Sequence, residues 1–233
     1  NTQYDLLQSR RFPVIILISG VDGAGKGETV NLLHEWMDPR HIETHAFDAP
    51  STEEIERPAF YRFWRALPPK GKIGIFFTSW YTEPIISRVY RQSSNVELDL
   101  KMEQNRRFER MLAAEGALIL KFWFHLSKER QRERLTRLAA KEKTSFRVTP
   151  IDWKHFKLYD RFRKISERAL RQTSTAEAPW IVVEGSDERY RSLTVGKAIQ
   201  SALRGRLDEP NARPPASHAA PFIAPVDGVH LIN

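Results

Sequence analysis

The sequence contains no cysteine in 233 residues. Disulfides, thiolate-held metals and cysteine nucleophiles are therefore excluded. No apolar run approaches the roughly 20 residues that span a bilayer. The longest, Val14-Ile-Ile-Leu-Ile18, is of strand length. The N-terminal stretch lacks the charged, apolar and small-residue order of a signal peptide. No membrane partner and a cytoplasmic location are expected. His34, His45, His125 and His155 show no metal-ligand spacing and read as ordinary surface or packing residues. There is no internal repeat and no recognisable nucleic-acid module, so nucleic acid is not expected as a partner.

Positive charge is in excess. Lys and Arg number 37 against 29 Asp and Glu, a formal net charge of +8. A basic surface attracts polyanions, among them nucleotides and polyphosphate, although many basic proteins have no such partner.

Strand-like and helix-like segments alternate. Val14–Ile18 reads as a strand buried on both faces, followed by a helix over Thr29–Met37. Ile42–Phe47, Lys72–Phe77, Ala117–His125 and Trp180–Val183 read as four more strands. Ser51-Thr-Glu-Glu54 is a capping-box pattern opening a helix to about Leu67, with Pro58 a point of kinking or later start. Further helices are expected over Pro84–Tyr90, Leu98–Ala114, Ser127–Lys141, Pro150–Gln172 and Glu188–Leu203. The alternation predicts an α/β fold in three layers, a parallel sheet with helices on both faces. The domain is expected over residues 1–206. Residues 207–233, rich in Pro and Ala, read as a linker or tail.

Gly20-Val-Asp-Gly-Ala-Gly-Lys26 follows the first strand and precedes a helix, the context of a phosphate loop. Glycines let the backbone turn so that its N–H groups converge on phosphate oxygens, and the helix points its positive end at the same place. Lys26 adds a charge that can follow a phosphoryl group as it transfers. Gly27 stands where a Ser or Thr usually ligates Mg²⁺, and the hydroxyl comes later, at Thr29. Asp22 lies inside the loop, where it would repel phosphates unless a cation intervened. It reads as a Mg²⁺ ligand or a group orienting the acceptor, with capping of the turn as the alternative.

Gly20, Asp22, Ala24 to Gly27 and Thr29 resemble the loop of the polyphosphate kinase type-two family. Further matches run from about residue 12 to 200. Pro50-Ser51 with Glu54, Tyr61-Arg62-Phe63, Leu67-Pro68, Ser79-Trp80-Tyr81 and Arg88-Val89 resemble successive family segments. So do Lys121–His125, Ser127-Lys128, Gln131, Thr149-Pro150, Asp152-Trp153 and Thr173–Trp180. The resemblance implies a P-loop kinase-like fold with a helical lid at about 127–150. It implies phosphoryl transfer between inorganic polyphosphate and a nucleotide, AMP or ADP, with Mg²⁺ as cofactor. Asp22 and Lys26 are then the candidate catalytic residues, with Asp22 on the metal. Gly23, Ala24, Gly25, Gly27, Glu28 and Thr29 are candidate phosphate contacts, with Arg62, Arg88, Arg130, Arg134 and Arg147. Arg130, Arg134, Arg137 and Lys141 recur at helical spacing and could line a polyanion track. The alternative is a solvated face partnered locally by Glu129 and Glu133.

The pattern breaks at Phe76-Phe77-Thr78-Ser79-Trp80-Tyr81, where the family typically reads Phe-Asp-Arg-Ser-Trp-Tyr. Phe77 replaces an expected metal-binding Asp and Thr78 an Arg, leaving Glu83 as a possible substitute carboxylate. Trp80 and Tyr81 read as core, or as the lining of a nucleotide pocket. Some members of the family, the polyphosphate:AMP phosphotransferases, fuse two copies, one of which can lack catalytic residues. This chain is accordingly expected to be the N-terminal copy of such a protein, impaired in transfer, with a second homologous domain or a homo-oligomer as partner. The alternatives are a non-catalytic phosphate-binding half or an ATP-dependent nucleotide kinase.

Overall fold

Strand β1, Val14–Gly20, is the middle of the molecule. The computed structural model describes residues 1–209. Of the expected linker or tail, residues 210–233 lie outside the described residues. Five strands form one parallel sheet in the order β2-β3-β1-β4-β5: β2 is Ile42–His45, β3 Ile73–Phe76, β4 Leu118–His125 and β5 Trp180–Glu184. Val14 pairs with Ile73 on one side and Leu118 on the other. Because side chains alternate along a strand, Val14, Ile16 and Ile18 enter one core and Ile15 and Leu17 the other. All five are essentially inaccessible to solvent, each worth about 1.5–3 kcal/mol of burial.

Helices cover both faces as expected for a parallel sheet. Helix α1, Thr2–Ser9, α2, Lys26–Trp36, and α11, Glu188–Asp208, cover one face. Helix α5, Thr82–Val89, α6, Asn95–Ala114, and α10, Tyr159–Thr173, cover the other. Two expected helices are divided. The segment from Ser51 gives α3, Thr52–Glu56, opened by a capping box as read, and then α4, Tyr61–Arg65. Pro58 separates them, having no N–H to continue the ladder. The segment from Pro150 breaks at Leu158 into α9, Pro150–Lys157, and α10. The break lets α9 pack on α7, Lys128–Ala139, while α10 stays on α5 and α6. Helix α1 and the short α8, Glu142–Ser145, carry no strong periodic signal and were not anticipated.

A buried polar cluster ties the second core together. Lys121 of β4 is wholly buried, its Nζ donating to Glu109 Oε2 and the Thr173 carbonyl at 2.7 Å each and to the Tyr81 hydroxyl at 3.3 Å. The other carboxylate oxygen of Glu109 accepts from Tyr81 Oη at 2.8 Å and Trp80 Nε1 at 3.0 Å. Burial pushes the Glu109 carboxyl up and the Lys121 ammonium down, and their mutual attraction opposes both. Trp80 and Tyr81 are therefore pinned at the end of β3. Lys121→Met is expected to cost about 3–5 kcal/mol by stranding a buried carboxylate. Adding Glu109→Leu should recover most of that loss. Urea unfolding of the single and double variants checks both values.

Candidate phosphate-binding site

The loop sits at the C-terminal end of β1, where β3 and β4 flank it and the strand order changes direction. Its shape depends on glycine. At Gly20, φ is +138°, and a Cβ would stand 2.1 Å from the Phe124 carbonyl oxygen. At Gly25, φ is +85°, and a Cβ would stand 2.2 Å from Cζ of Arg191. Gly27 differs: a Cβ there would meet nothing within 4 Å. The first turn of α2 is therefore open on the side of Gly27, and the N–H groups at the helix start have no intrahelical partner.

A cleft of about 240 Å³ opens beside the loop. Ser19 to Asp22 and Lys26 form one side; Phe77, Thr78, Tyr81 and Ile85 form another; Trp123, Gln131, His155, Tyr159 and Phe162 complete it. Among the described residues, Asp22 is the only carboxylate lining it. Lys26 Nζ lies 3.6 Å from Asp22 Oδ1 and donates to the carbonyls of Gly20, at 2.7 Å, and Val21, at 3.1 Å. On the other side of the carboxylate, His155 Nδ1 lies 2.6 Å from Asp22 Oδ2. Burial alone pushes the Asp22 carboxyl up, but the His155 hydrogen bond and the Lys26 charge outweigh it and hold it below the usual carboxylate range. Gln131 of α7 donates to the Asp22 carbonyl at 3.0 Å.

The proposed phosphate contacts divide into two groups. Gly23, Ala24, Gly25, Gly27, Glu28 and Thr29 belong to the loop and the first turn of α2. Arg134 of α7 and Arg147, after α8, reach that turn and pair with Glu28. Arg62, Arg88 and Arg130 do not line the cleft. Arg62 lies over the Phe47 ring and bonds to the Asp48 carbonyl. Arg88 bonds to Asn95, and Arg130 to Glu133, the local partner anticipated as the alternative. Glu83 is exposed on the first turn of α5 and is not in the cleft, so it is no substitute for the carboxylate missing at Phe77. Trp80 is core, whereas Tyr81 is buried yet lines the cleft.

Two participants escaped the sequence. His155 was read as a packing residue; the break at Leu158 lets α9 bring it onto Asp22. Arg191 carried no motif at all. Its buried guanidinium donates to the Gly185 carbonyl at 2.9 Å, to Glu28 Oε2 at 2.8 Å and to Thr29 Oγ1 at 3.2 Å.

A family model described as Polyphosphate kinase 2 (PPK2) matches residues 2–210. The chain belongs to the polyphosphate kinase 2 family. It is 51% identical over 231 residues to a polyphosphate:AMP phosphotransferase of Pseudomonas aeruginosa, covering 99% of this chain and 47% of the relative. An AMP/ADP-polyphosphate phosphotransferase of Meiothermus ruber is 31% identical over 192 residues, 82% of this chain and 72% of the relative. The crystal structure of polyphosphate kinase 2 from Arthrobacter aurescens superposes with a TM-score of 0.84 at 28% identity, covering 91% of this chain and 77% of that one. This polyphosphate kinase 2 chain spans about half the length of the polyphosphate:AMP phosphotransferases it matches.

The donors do not by themselves fit the Mg²⁺ that the resemblance implied. The Asp22 carboxylate is engaged on both sides, and Phe77 occupies the other expected position. The Thr29 hydroxyl donates to the Gly25 carbonyl at 3.0 Å. Among the described residues no three His, Cys, Asp or Glu side chains cluster to hold a metal, and no helix is long and apolar enough to cross a membrane.

The two loop glycines separate fold from function. Gly25→Ala is expected to destabilise by about 2 kcal/mol or more, from left-handed strain and collision with Arg191. Gly27→Ala should leave stability unchanged or raise it by up to about 1 kcal/mol. Chemical denaturation of both variants measures the difference.

Proposed function

We propose that this domain serves phosphoryl transfer between inorganic polyphosphate and a nucleotide, AMP or ADP, by holding phosphoryl groups at the loop Gly20–Lys26. The supporting observation is the glycine-shaped loop at the end of β1, opening onto a cleft lined by Gly20, Asp22 and Lys26, with open space beside Gly27. Lys26 would follow the phosphoryl charge, and the backbone N–H groups of the first turn of α2 would bind its oxygens. Arg134 and Arg147 would bring the basic lid, about residues 127–150, over the same turn. Tyr81, Trp123 and Phe162 provide apolar surface of the kind a nucleobase packs against.

A second reading is favoured by Phe77. A phenylalanine can neither ligate a metal nor neutralise a phosphate, and the cleft has Asp22 as its one carboxylate. In that reading the domain, spanning about residues 1–206, holds phosphates without transferring them. Transfer belongs to a second homologous domain of a longer phosphotransferase, as the relatives' length suggests. The Mg²⁺ dependence expected of the family then falls on transfer, and binding needs only Lys26, the N–H groups and the arginines.

Polyphosphate titrated into the purified domain is expected to bind with steep salt dependence and to remain bound in EDTA. Lys26→Ala should weaken binding about tenfold or more, the ~1.4 kcal/mol or more of one lost phosphate contact. In the second reading AMP phosphorylation is negligible with polyphosphate or ATP as donor. Robust polyphosphate-driven turnover abolished by Lys26→Ala would remove the second reading and keep the first. Turnover untouched by that substitution would exclude the loop as the site.

A further inference from the structure

Three guanidinium groups converge on a single carboxylate beside the loop. Glu28, in the first turn of α2, accepts on Oε1 from Arg134, with Arg147 Nη1 3.5 Å from the same oxygen. Its Oε2 accepts from Arg191 at 2.8 Å. Among the described residues, no other carboxylate pairs with any of the three arginines. One negative charge thus faces three positive ones, drawn from α7, from the segment after α8 and from α11.

This cluster adjoins the loop. A Cβ at Gly23 would touch Arg134 Cγ at 3.5 Å, and the Arg191 guanidinium lies against Gly25. The space beside Gly27, the neighbour of Glu28, is open. Arg191 is almost wholly buried and has two further oxygen partners, whereas Arg147 is about half exposed and Arg134 partly so.

We infer that Arg134, Arg147 and Arg191 form a second anion subsite next to the loop, and that Glu28 is an internal anion filling it until a phosphoryl group of polyphosphate competes for Arg134 and Arg147. The chemistry is matched. An internal phosphoryl unit, like a carboxylate, carries about one negative charge and presents two oxygens to a guanidinium fork. A polyphosphate chain seated in the loop would bring its next unit to these arginines. Arg191 keeps its bond to Glu28 and preserves the shape of the loop. Glu28 is then a competitor that raises the concentration of polyanion needed to engage the lid. The inference rests on the loop being a phosphate site, and the variants separate the two ideas.

Tripolyphosphate alone, and AMP alone, are titrated into the wild-type domain and into Glu28→Gln, Arg147→Gln, Lys26→Ala and Glu35→Gln, with folding verified by thermal melts. Glu35 is exposed on the same helix and controls for the bare change of charge. Glu28→Gln is expected to bind tripolyphosphate about three- to tenfold tighter, and Arg147→Gln about three- to tenfold weaker. Glu35→Gln should change it less than twofold. Wild-type binding lost in Lys26→Ala, with no tightening in Glu28→Gln or an equal tightening in Glu35→Gln, overturns the inference and spares the loop. Absence of wild-type binding overturns both. Tightening for AMP but not for tripolyphosphate overturns the assignment to the polyphosphate chain. Should Glu28→Gln fail to fold, Arg147→Gln decides: wild-type affinity overturns the subsite, and weakened affinity supports it.

Discussion

The loop depends on a guanidinium lying beneath it. Arg191 reaches from α11 into the space that a side chain at position 25 would occupy, and bonds at once to Glu28, Thr29 and the Gly185 carbonyl. Removing a charged group from water is costly unless it is fully paired, and here the pairing is supplied by the loop's own helix and by the turn after β5. Helix α11 and the glycine loop with the start of α2 are thereby one structural unit, although 162 residues separate Arg191 from Thr29.

Around this unit the cleft has walls of unequal character. One side is polar, with Ser19, Asp22 and Lys26, and the arginines near Glu28 lie beyond it. The opposite side is aromatic, and its position is set by the Lys121–Glu109 pair through Tyr81. Phe77 belongs to that aromatic side and packs partly against the first core. The cleft thus combines the ammonium of Lys26 with one carboxylate, Asp22, itself matched by Lys26 and His155.

Much of the fold was legible because its signals are local. The strand Val14–Ile18, the glycine spacing and the capping box at Ser51 each act over a few residues, and each forms where it was read. The alternation of strand-like and helix-like segments placed the sheet and its covering helices. What stayed hidden acts at a distance. No periodicity marks Leu158 as a break, because the apolar pattern continues across it; only packing against α7 separates α9 from α10. With that break unseen, His155 could not be placed 2.6 Å from Asp22. The regular spacing of Arg130, Arg134 and Arg137 suggested one shared destination. In the fold Arg134 turns to Glu28, while Arg130 finds Glu133 on its own helix. Spacing identifies a face but not the partner that each long side chain selects.

The uneven burial of the expected lid, and of α9 beside it, has a consequence for how this segment would open. Helix α7 buries only Gln131 and Leu135, and α8 and α9 have no fully buried residue. Their attachment to the loop is chiefly polar: Gln131 to the Asp22 carbonyl, His155 to Asp22, Arg134 and Arg147 to Glu28. Trp80 and Tyr81, by contrast, move only if a buried ion pair and the core on that face of the sheet are dismantled. Thermal energy thus meets two thresholds in one domain. Releasing the lid requires a handful of partly solvated contacts to exchange for water, while shifting the cleft wall requires unfolding. A swap of ligand for water at the arginines would set how long the lid stays shut, with the aromatic side unchanged throughout.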